Sequence, residues 1–341
     1  MVYFSQPINI MKSAVHLHLF IPQALLAQVF QLGRDSALAG LLAKAHLEQL
    51  NGSLESLLCR QAGIDEDPGK EENDPLPIAA ISYLGEEKPA EVPAGAGYFL
   101  FADPVHLLLQ RDSFSLSAPV PMALTADETA SLLDSLNRHF ASDGLRFIAE
   151  ASGHWYLQLA ESPSIVTHYP GLALDRDIQA FLPRGSGAAR WHQLGNEIQM
   201  LLHGHAVNQR RESLGQAACN SLWFWGSGKL PQKRTAMSIR AYGAMPLLKG
   251  LGRLGGIECT DLPRDFSALS GRKQTWVQLD TSANIEGDWF RPAADALRRG
   301  KLCRLQLSFA VNGKLLSATL RRRDLFKLWR KRLPLNTYFE A

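Results

Sequence analysis

The sequence predicts a mixed α/β protein built around a parallel sheet. Apolar runs with strand character alternate with helical periodicity, most clearly where runs at residues 221–225 and 239–244 precede a helix that begins at Pro246. Near the end of the chain, Asn312 and Gly313 separate two alternating runs, which is the strongest short-range signal for a hairpin. Together these patterns give the order of strands and helices that is typical of α/β proteins.

Length and charge limit the classes of function. The chain has 341 residues, of which 46% are hydrophobic, so it is long enough to bury a large core divided into two units. Its net charge of +3, from 36 basic and 33 acidic residues, creates no overall field that would attract nucleic acid. Nucleic acid is therefore not an expected partner, and an anionic ligand would need a local patch of positive charge.

Cysteine usage and hydropathy indicate a cytoplasmic protein. The four cysteines are widely spaced and form no CxxC pair, which fits a reducing compartment. The apolar stretch at residues 14–30 is interrupted by His16, His18 and Pro22, so it is too short and too polar to span a bilayer. No transmembrane segment is expected. Whether Met1 or Met11 is the true start stays open.

The first third of the chain predicts a strand and a long helix, followed by two more strands. Residues 14–21 alternate as a strand until Pro22, and leucines and alanines then recur at helical spacing over residues 23–50. Residues 63–77 concentrate acidic residues, glycine and proline, which indicates a solvated loop. The short apolar runs at 78–84 and 98–102 are bounded by Gly and Pro and predict strands.

The middle of the chain predicts a small α+β unit between about residues 97 and 182. Thr125 and Glu128 have the spacing of a capping box, and leucines follow at three- and four-residue steps as far as Phe140. Gly144 ends this helix, and the alternating runs at 145–149 and 154–159 predict strands. Residues 197–205 are expected to be helical.

The C-terminal region predicts a hairpin and a basic amphipathic helix. Strands at 302–311 and 314–320 flank the Asn312-Gly313 turn, and the helix is expected to begin near Asp324. In that helix Leu325, Leu328 and Trp329 recur at steps of three and four among many cations. We expect this apolar stripe to dock on the protein's own core, although a partner or an acidic surface stays open.

One region, residues 205–256, carries a family resemblance. His205, Val207, Asn208 and Arg211 give H-x-V-N-x-x-R, and the patterns G-x-x-x-x-N, W-G-x-G and L-x-K-G-x-G-R-x-x-G follow in order. This order resembles the archaeal-type cofactor-independent phosphoglycerate mutases. It resembles more closely still a bacterial offshoot of that family, labelled RpfE-type regulatory protein. Residues 102–107 and the helix after Thr125 also resemble this offshoot, though more loosely.

The resemblance implies an alkaline-phosphatase-like fold, with a three-layer α/β core and an inserted α+β domain. The core would be discontinuous and consist of residues 11–95 and 206–341. The insert would consist of residues 96–205. In the family, a serine accepts a phosphoryl group between two divalent metals that Asp and His residues from both ends of the chain hold.

The sequence departs from the family at this chemistry. A two-metal site needs several converging carboxylates and imidazoles, yet residues 206–341 contain no histidine. The first strand has His16 and His18 where the family has Asp-Gly, and residues 279–288 keep only carboxylates. No metal or other cofactor is therefore expected. If a divalent metal is bound, the candidate ligands are His16, His18, Asp280 and Asp288.

The same region suggests a site for an anion, either a phosphorylated or a carboxylate small molecule. Cations near glycine-rich turns can hold an anion together with backbone N–H groups, although solvated surface charges would give the same pattern. The candidate residues are Asn208, Arg211, Asn220, Gly226, Gly228, Lys229, Lys249 and Arg253. Lys229 is followed by Leu230, so no phosphate-binding P-loop is predicted. Gly250 and Gly252 fall inside a helix, where close packing explains them better than dinucleotide binding.

These observations lead to three hypotheses of function. The first is a catalytically degenerate relative of the mutases, a pseudoenzyme with a regulatory or anion-binding role. The second is an active phosphoglycerate mutase or phosphatase with a rearranged metal site. The third and weaker hypothesis is nucleic-acid or protein-partner binding through the basic C-terminal helix. The sequence assigns no catalytic residue and leaves enzymatic activity undecided, with the balance against it.

Overall fold

The computed structural model describes residues 15–64, 76–87, 97–111, 113–232, 237–270 and 273–339. The strands, in chain order, are β1 (Val15–Ile21), β2 (His46–Asn51), β3 (Tyr98–Val105), β4 (Leu107–Leu109), β5 (Phe114–Leu116), β6 (Arg146–Ala149), β7 (Trp155–Leu159), β8 (Ser221–Lys229), β9 (Ile239–Tyr242), β10 (Ile257–Thr260), β11 (Gln274–Gln278), β12 (Leu302–Val311) and β13 (Lys314–Arg321). The helices are α1 (Leu26–Gln31), α2 (Ala37–Lys44), α3 (Leu54–Gln61), α4 (Ile78–Gly85), α5 (Ala126–His139), α6 (Ala188–His203), α7 (Ala206–Ser213), α8 (Pro246–Arg253) and α9 (Arg291–Arg298).

The chain forms two compact units, and each is discontinuous in sequence. The first consists of Met1–Leu54, Thr235–Ala244 and Gly256–Ala341, and the second of Glu55–Arg234 and Met245–Gly255. This division differs from the predicted boundaries at residues 95 and 205. The reason is that β8 pairs with β3 along its whole length, which places residues 206–234 with the second unit.

The first unit contains a seven-stranded sheet in the order β10-β9-β11-β1-β12-β13-β2. The strands from β10 to β12 are parallel, as the sequence predicts, and β13 and β2 add an antiparallel edge. Leu17, Leu19 and Ile21 alternate along β1 and pack, with the apolar faces of β12 and β13, against α1, α2 and α9. The mixed α/β class is therefore confirmed, while a second helical layer on this sheet stays a prediction.

The second unit contains a four-stranded antiparallel sheet in the order β6-β7-β3-β8. On one face, Leu100, Leu157 and Phe224 pack against α5 and α6. On the other face, Phe99 stacks on Tyr83 of α4, with ring centroids 4.9 Å apart, and Phe101 stacks on Trp225, with centroids 4.4 Å apart. This second face also carries the polar cluster described below.

Local signals predicted several elements correctly. Thr125 caps α5, and both halves of the capping box with Glu128 are present. Asn312 and Gly313 have φ of 46° and 78°, as a two-residue hairpin turn requires, and they join β12 to β13. The predicted helix after Pro246 is α8, with proline in its first turn. Strands β6, β7, β8 and β9 also lie where the sequence places them.

The predicted single helix over residues 23–50 is interrupted between α1 and α2, and it is wrong beyond Lys44. The chain forms α1, breaks before Ser36, and resumes as α2, whose N-cap is the Ser36 side chain, accepting from the Ala39 N–H. After Ala45 it turns into β2, an exposed edge strand that pairs with β13. Pairing with a strand more than 260 residues later outweighs the local helical pattern of residues 46–50.

The predicted strand at residues 78–84 is the helix α4. Seven of its eight residues are buried, so it shows no amphipathic periodicity and its short apolar run resembles a strand. Helix α8 lies directly on it: a Cβ added at Gly85 would lie 1.8 Å from the Pro246 carbonyl oxygen, and one at Gly250 would lie 1.8 Å from that of Ile81. The glycines in α8 therefore permit close packing, as expected, but the contact is with a helix and not with a sheet.

The predicted C-terminal basic helix is also wrong. A 3-10 turn at Arg322–Phe326 is followed by irregular chain and by a second turn at Leu335–Tyr338. Leu328 and Trp329, expected to dock on the core, are 81% and 75% exposed. Leu335 and Tyr338 are buried in the first unit instead, so the last turn, and not the predicted stripe, anchors the end of the described chain.

Among the described residues, no helix combines the length and the apolar character needed to cross a lipid bilayer.

Candidate functional site

The carboxyl edge of the parallel strands in the first unit is where α/β sheets usually bind ligands. Asp280 follows β11 at this edge, and its Oδ1 accepts hydrogen bonds from the N–H of Ser282, at 3.0 Å, and from the Ser282 hydroxyl. Next to β1 and β12, the Gln23 amide donates to Asn312 Oδ1 at 3.3 Å. Asp280 and Gln23 are thus each bonded to another residue at the same edge of the sheet.

Glu286, a second acidic residue of this region, is engaged by the backbone. Glu286 Oε1 accepts from the N–H of Ala37 at 2.6 Å, and Oε2 accepts from the N–H of Leu38 at 3.4 Å, so this carboxylate occupies the N-terminus of α2. Asp288 lies two residues further on, in the same π-helical segment, Ile285–Phe290, and is half-buried. A carboxylate of the protein thus stands where a helix N-terminus would otherwise attract an anion.

The two candidate histidine ligands on β1 have different surroundings. His16 is exposed, whereas His18 is 5% exposed, stacks on Phe20 with centroids 3.9 Å apart, and has Nε2 2.8 Å from the hydroxyl of Ser308. No group of three or more His, Cys, Asp or Glu side chains within the described residues is arranged to hold a metal ion. The contacts of His18 and Asp280 therefore do not fit a two-metal site in this part of the chain.

Of the candidate anion-binding residues, Asn208 and Asn220 make their side-chain hydrogen bonds to the backbone. The Asn208 amide donates to the carbonyls of Leu202 and Cys219 at 2.8 and 2.7 Å, and its oxygen accepts from the Cys219 N–H at 2.8 Å. The Asn220 side chain pairs with both the N–H and the carbonyl of Leu107. Both amides tie neighbouring segments of the second unit together.

Arg211 is 9% exposed and is also bonded within the second unit. Its Nη1 donates to Glu128 Oε2 at 2.9 Å, and its Nε donates to the Ala217 carbonyl at 2.7 Å. Burial raises the pKa of Glu128, but its hydrogen bonds to Thr125 and Arg211 outweigh burial and lower it overall. Arg211 thus links α7 to the capping box of α5.

The remaining candidates gather around α4. Gly226 has φ of 66°, and a Cβ there would lie 3.1 Å from Phe101, while one on Gly228 would lie 2.5 Å from Pro77 at the start of α4. At the other end of α4, Arg253 Nη1 donates to the carbonyls of Leu84 and of Glu86, the latter at 2.7 Å. Lys229 is exposed and Lys249 is half-buried. Their role in binding an anion stays a prediction.

The structure also shows a polar cluster that the sequence did not reveal. Asp103 on β3 is fully buried, and its Oδ1 lies 2.8 Å from Nδ1 of His154, just before β7. Its Oδ2 accepts from the indole N–H of Trp225 at 2.8 Å. The His154 side chain is 26% exposed, so the buried carboxylate fixes a partly accessible imidazole by one ring nitrogen.

A second carboxylate completes the cluster at the end of α4. Glu86 is 3% exposed, and its Oε1 accepts from the hydroxyls of Tyr156 and Ser152, both at 2.6 Å. Burial and the Glu86 charge raise the pKa of Tyr156 well above its usual value, and they raise the pKa of Glu150 in the same way. Both shifts favour the neutral form more than in a free side chain.

Charge in this cluster is mainly negative. Burial disfavours the imidazolium of His154, but attraction to Asp103, together with Glu55 and Glu86, outweighs it and raises the pKa of His154. Glu55 contributes a buried Oε2 atom that has no hydrogen-bond partner among the described residues. Such surroundings favour a proton or another cation at His154, and they disfavour a phosphate or carboxylate ligand.

Comparisons with known proteins give partial, low-identity matches. No family model matches the chain. The 2,3-bisphosphoglycerate-independent phosphoglycerate mutase of Methanosarcina mazei is 26% identical over 148 residues, which cover 41% of this chain and 37% of that protein. Mutase 2 of Methanothermobacter thermautotrophicus is 31% identical over 150 residues (40% and 36%), and the mutase of Methanosarcina acetivorans is 27% identical over 222 residues (61% and 53%). The chain thus matches between about a third and about half of the length of these relatives.

Two solved structures are similar over most of the chain at low scores. A cofactor-independent phosphoglycerate mutase from Thermoplasma acidophilum aligns over 90% of both chains, with 14% identity and a TM-score of 0.35. The PH0037 protein from Pyrococcus horikoshii aligns over 92% of this chain and 93% of its own, with 12% identity and a TM-score of 0.42. The fold of this chain is therefore defined by its own sheet topology and not by these similarities.

One signal in the sequence points to the polar cluster. Asp103 interrupts the apolar run of β3, and a carboxylate in a strand buried at every position needs a partner. The partner lies 51 residues away at the start of β7, and no local spacing connects the two residues. The aspartate was therefore detectable as a buried charge, whereas His154 was not.

Proposed function

We propose that the chain is a phosphoglycerate-mutase-like protein that has lost two-metal phosphoryl transfer and serves a regulatory or binding role in the cytoplasm. The similarity to archaeal cofactor-independent mutases, at low identity, supports the mutase-like part. The observation that carries the loss of chemistry is the state of Asp280, whose Oδ1 is bonded to both the backbone and the hydroxyl of Ser282. This carboxylate already has local partners at the edge of the sheet where a metal ligand would be needed.

The regulatory role corresponds to the RpfE-type offshoot that the sequence resembles. Its ligand would be a phosphorylated or carboxylate small molecule. The candidates that make no side-chain hydrogen bond within the described residues are Lys229 and Lys249, and these two ammonium groups are the ones free to bind it. The other candidate side chains stabilise the second unit, as described above.

The alternative, an active mutase or phosphatase with a rearranged site, draws on the Asp103–His154 pair. A carboxylate that fixes one imidazole nitrogen leaves the other to accept a proton or to ligate one metal ion. In the weaker alternative, a protein partner or nucleic acid binds the basic segment near the C-terminus. That segment begins with the 3-10 turn Arg322–Phe326 and is not the predicted helix.

The test combines metal content with a coupled mutase assay. The Methanosarcina mazei mutase, purified in parallel without chelator, is the positive control. We expect this protein to carry much less than one equivalent of divalent metal per chain and to give no turnover of 3-phosphoglycerate with added Mn²⁺ or Mg²⁺. Calorimetry is expected to detect binding of 3-phosphoglycerate that weakens by about tenfold in Lys249→Ala.

Three results would contradict the proposal. About two metals per chain together with mutase turnover would show that the enzyme is intact. Turnover that His154→Ala abolishes would instead support the rearranged active site. If no binding of 3-phosphoglycerate is measured, the anion-binding role is wrong, whatever the metal content.

A further inference from the structure

The second unit contains a cavity that lies apart from the candidate binding residues and from the Asp103–His154 cluster. It has a volume of about 350 Å³, within the range of about 300 to 1,000 Å³ that small-molecule sites occupy. Its walls are α6, the first part of β8, the β4–β5 hairpin and the 3-10 turn Ile178–Phe181. No candidate residue for anion binding or metal binding, and no residue of the Asp103–His154 cluster, lines it.

Five Phe and Trp rings lie among the described residues of the walls, and three of these rings are held by specific contacts. Trp191 of α6 meets Phe224 of β8 edge to face, with ring centroids 4.9 Å apart, and both are more than 90% buried. The indole N–H of Trp223 donates to the His168 carbonyl at 2.9 Å, which fixes that ring. Aromatic rings in fixed orientations form a preorganised surface for a flat apolar body.

The described lining offers little to a charged ligand, because its titratable side chain, His192, has Nε2 2.9 Å from the Pro183 carbonyl oxygen. Among the described residues that line the cavity there is no Asp, Glu, Lys or Arg. A phosphate or carboxylate would lose its hydration there without gaining a partner, which is costly. Asn196 and Gln199 also line the cavity, and their carboxamides make no side-chain hydrogen bond within the described residues. They supply neutral donors and acceptors only.

Gly195 gives independent support for a ligand in this cavity. It lies in the middle of α6 and in the cavity wall, and a Cβ added to it would meet no atom within 4 Å. Glycine inside a helix costs about 1 kcal/mol relative to alanine, and neither close packing nor a left-handed backbone requires it here. The absent side chain leaves open space in the part of the wall that α6 forms, between Trp191 and Asn196.

We propose that this cavity binds a neutral, largely apolar small molecule with one or two rings, and that Gly195 is retained to make room for it. An engineered apolar cavity of about 150 Å³ holds benzene, so one of about twice that volume holds a two-ring body. Such a ligand stacks on the aromatic walls and takes hydrogen bonds from Asn196 and Gln199. This site is independent of the proposed anion-binding role, because the two share no residue.

The test uses the neutral two-ring fluorophore N-phenyl-1-naphthylamine with the full-length chain. Binding by the wild type should enhance and blue-shift the probe's emission, and Gly195→Phe should weaken binding by at least about tenfold. Met200→Phe is the matched control, because it adds the same phenyl group to α6 at a side chain that is 79% exposed and outside the cavity. This control should bind like the wild type.

Two further variants keep the test decisive. If Gly195→Phe does not fold, as judged by circular dichroism, the smaller Gly195→Leu should weaken binding in the same direction. The double variant Leu328→Ser/Trp329→Ser removes the exposed apolar segment near the C-terminus and should leave binding unchanged. The proposal is overturned if the wild type does not bind the probe, if the Gly195 variants bind it as the wild type does, or if only the double variant loses it.

Discussion

His154 Nδ1 lies 2.8 Å from Oδ1 of Asp103, and that carboxylate is fully buried. Because Asp103 also accepts the indole N–H of Trp225, the aspartate joins β3 to both of its neighbouring strands through side chains. The charge on Asp103 is balanced only when His154 is protonated. The stability of the second unit should therefore depend on the protonation of one imidazole.

Replacing His154 by Asn should remove a pH-dependent part of the stability. Asparagine places an N–H near the position of Nδ1 but carries no charge. The folded-state pKa of His154 is raised, so its charged form stabilises the fold fully below the unfolded pKa of about 6.5, and this contribution is lost as pH rises through the folded pKa. Urea unfolding should show the wild type exceeding His154→Asn by more at about pH 5.5 than at about pH 9.

A difference between the two proteins that is the same at both pH values would show that His154 does not titrate with folding. Asp103→Ala serves as a second readout of the same pair. Asp103→Ala leaves Nδ1 of His154 and the indole N–H of Trp225 without their acceptor. It should therefore lower the free energy of unfolding by about 3 to 5 kcal/mol at neutral pH.

Arg211 should be needed for stability more than for ligand binding. Arg211→Ala removes the bond to Glu128, which keeps its capping-box bond from the Thr125 N–H, and it leaves the Ala217 carbonyl without its Arg211 donor. This should cost about 1 to 3 kcal/mol in the free energy of unfolding. Arg210, its exposed neighbour, is the control, and Arg210→Ala should change stability by less than about 0.5 kcal/mol. Equal stability of the two variants, with loss of 3-phosphoglycerate binding only in Arg211→Ala, would restore the anion-binding role of Arg211.

Gly250 should not tolerate a side chain. A Cβ at this position would lie 1.8 Å from the carbonyl oxygen of Ile81, so Gly250→Ala must separate α8 from α4 and should cost at least about 3 kcal/mol. Gly195→Ala is the matched substitution in an open helix position, and it should raise stability by up to about 1 kcal/mol. Thermal unfolding of both variants measures this difference in stability, with Gly250→Ala expected to melt at the lower temperature. A similar melting temperature for the two would mean that the close contact between the helices is absent in solution.

The anchoring of the C-terminal region should depend on Leu335 and not on the apolar side chains that precede it. Leu335 is 3% exposed, so Leu335→Ala should cost about 2 to 5 kcal/mol. Leu328 is 81% exposed, and Leu328→Ser should change the free energy of unfolding by less than about 0.5 kcal/mol. If Leu328→Ser is the more destabilising variant, the apolar stripe of Leu325, Leu328 and Trp329 docks on the core, as the sequence predicts.

Sequence patterns predicted those elements whose signal is local. The capping box of Thr125 and the Asn312-Gly313 turn satisfy backbone groups within a few residues, so each can be read without the rest of the fold. Helix α4 was mistaken for a strand because burial on all sides removes the amphipathic pattern that distinguishes the two. The predicted C-terminal helix does not form, and its apolar stripe is not buried as a whole: Leu325 packs partly buried against the core, whereas Leu328 and Trp329 are exposed.

The candidate site was less predictable than the fold, for a physical reason. A glycine such as Gly226 marks a place where another group packs closely against the backbone, and an asparagine such as Asn208 marks a place where backbone groups need a hydrogen-bond partner. In both cases the neighbouring group can be a ligand or another part of the protein. In this protein the partners are α4 and neighbouring carbonyls. The Asp103–His154 pair depends on strand pairing between distant segments, which the sequence alone does not specify.

The position of β1 between β11 and β12 has a consequence for biosynthesis. His16 pairs with Gln274 and Arg304, so the first strand leaves the ribosome roughly 250 residues before either neighbour exists. At about 5 to 20 residues per second, this delay is on the order of 10 to 50 s. Throughout it, an apolar strand with two free edges is exposed on the nascent chain. Folding in the cell should therefore depend on a chaperone that holds the N-terminal segment, whereas the second unit, encoded between residues 55 and 255, can form while synthesis continues.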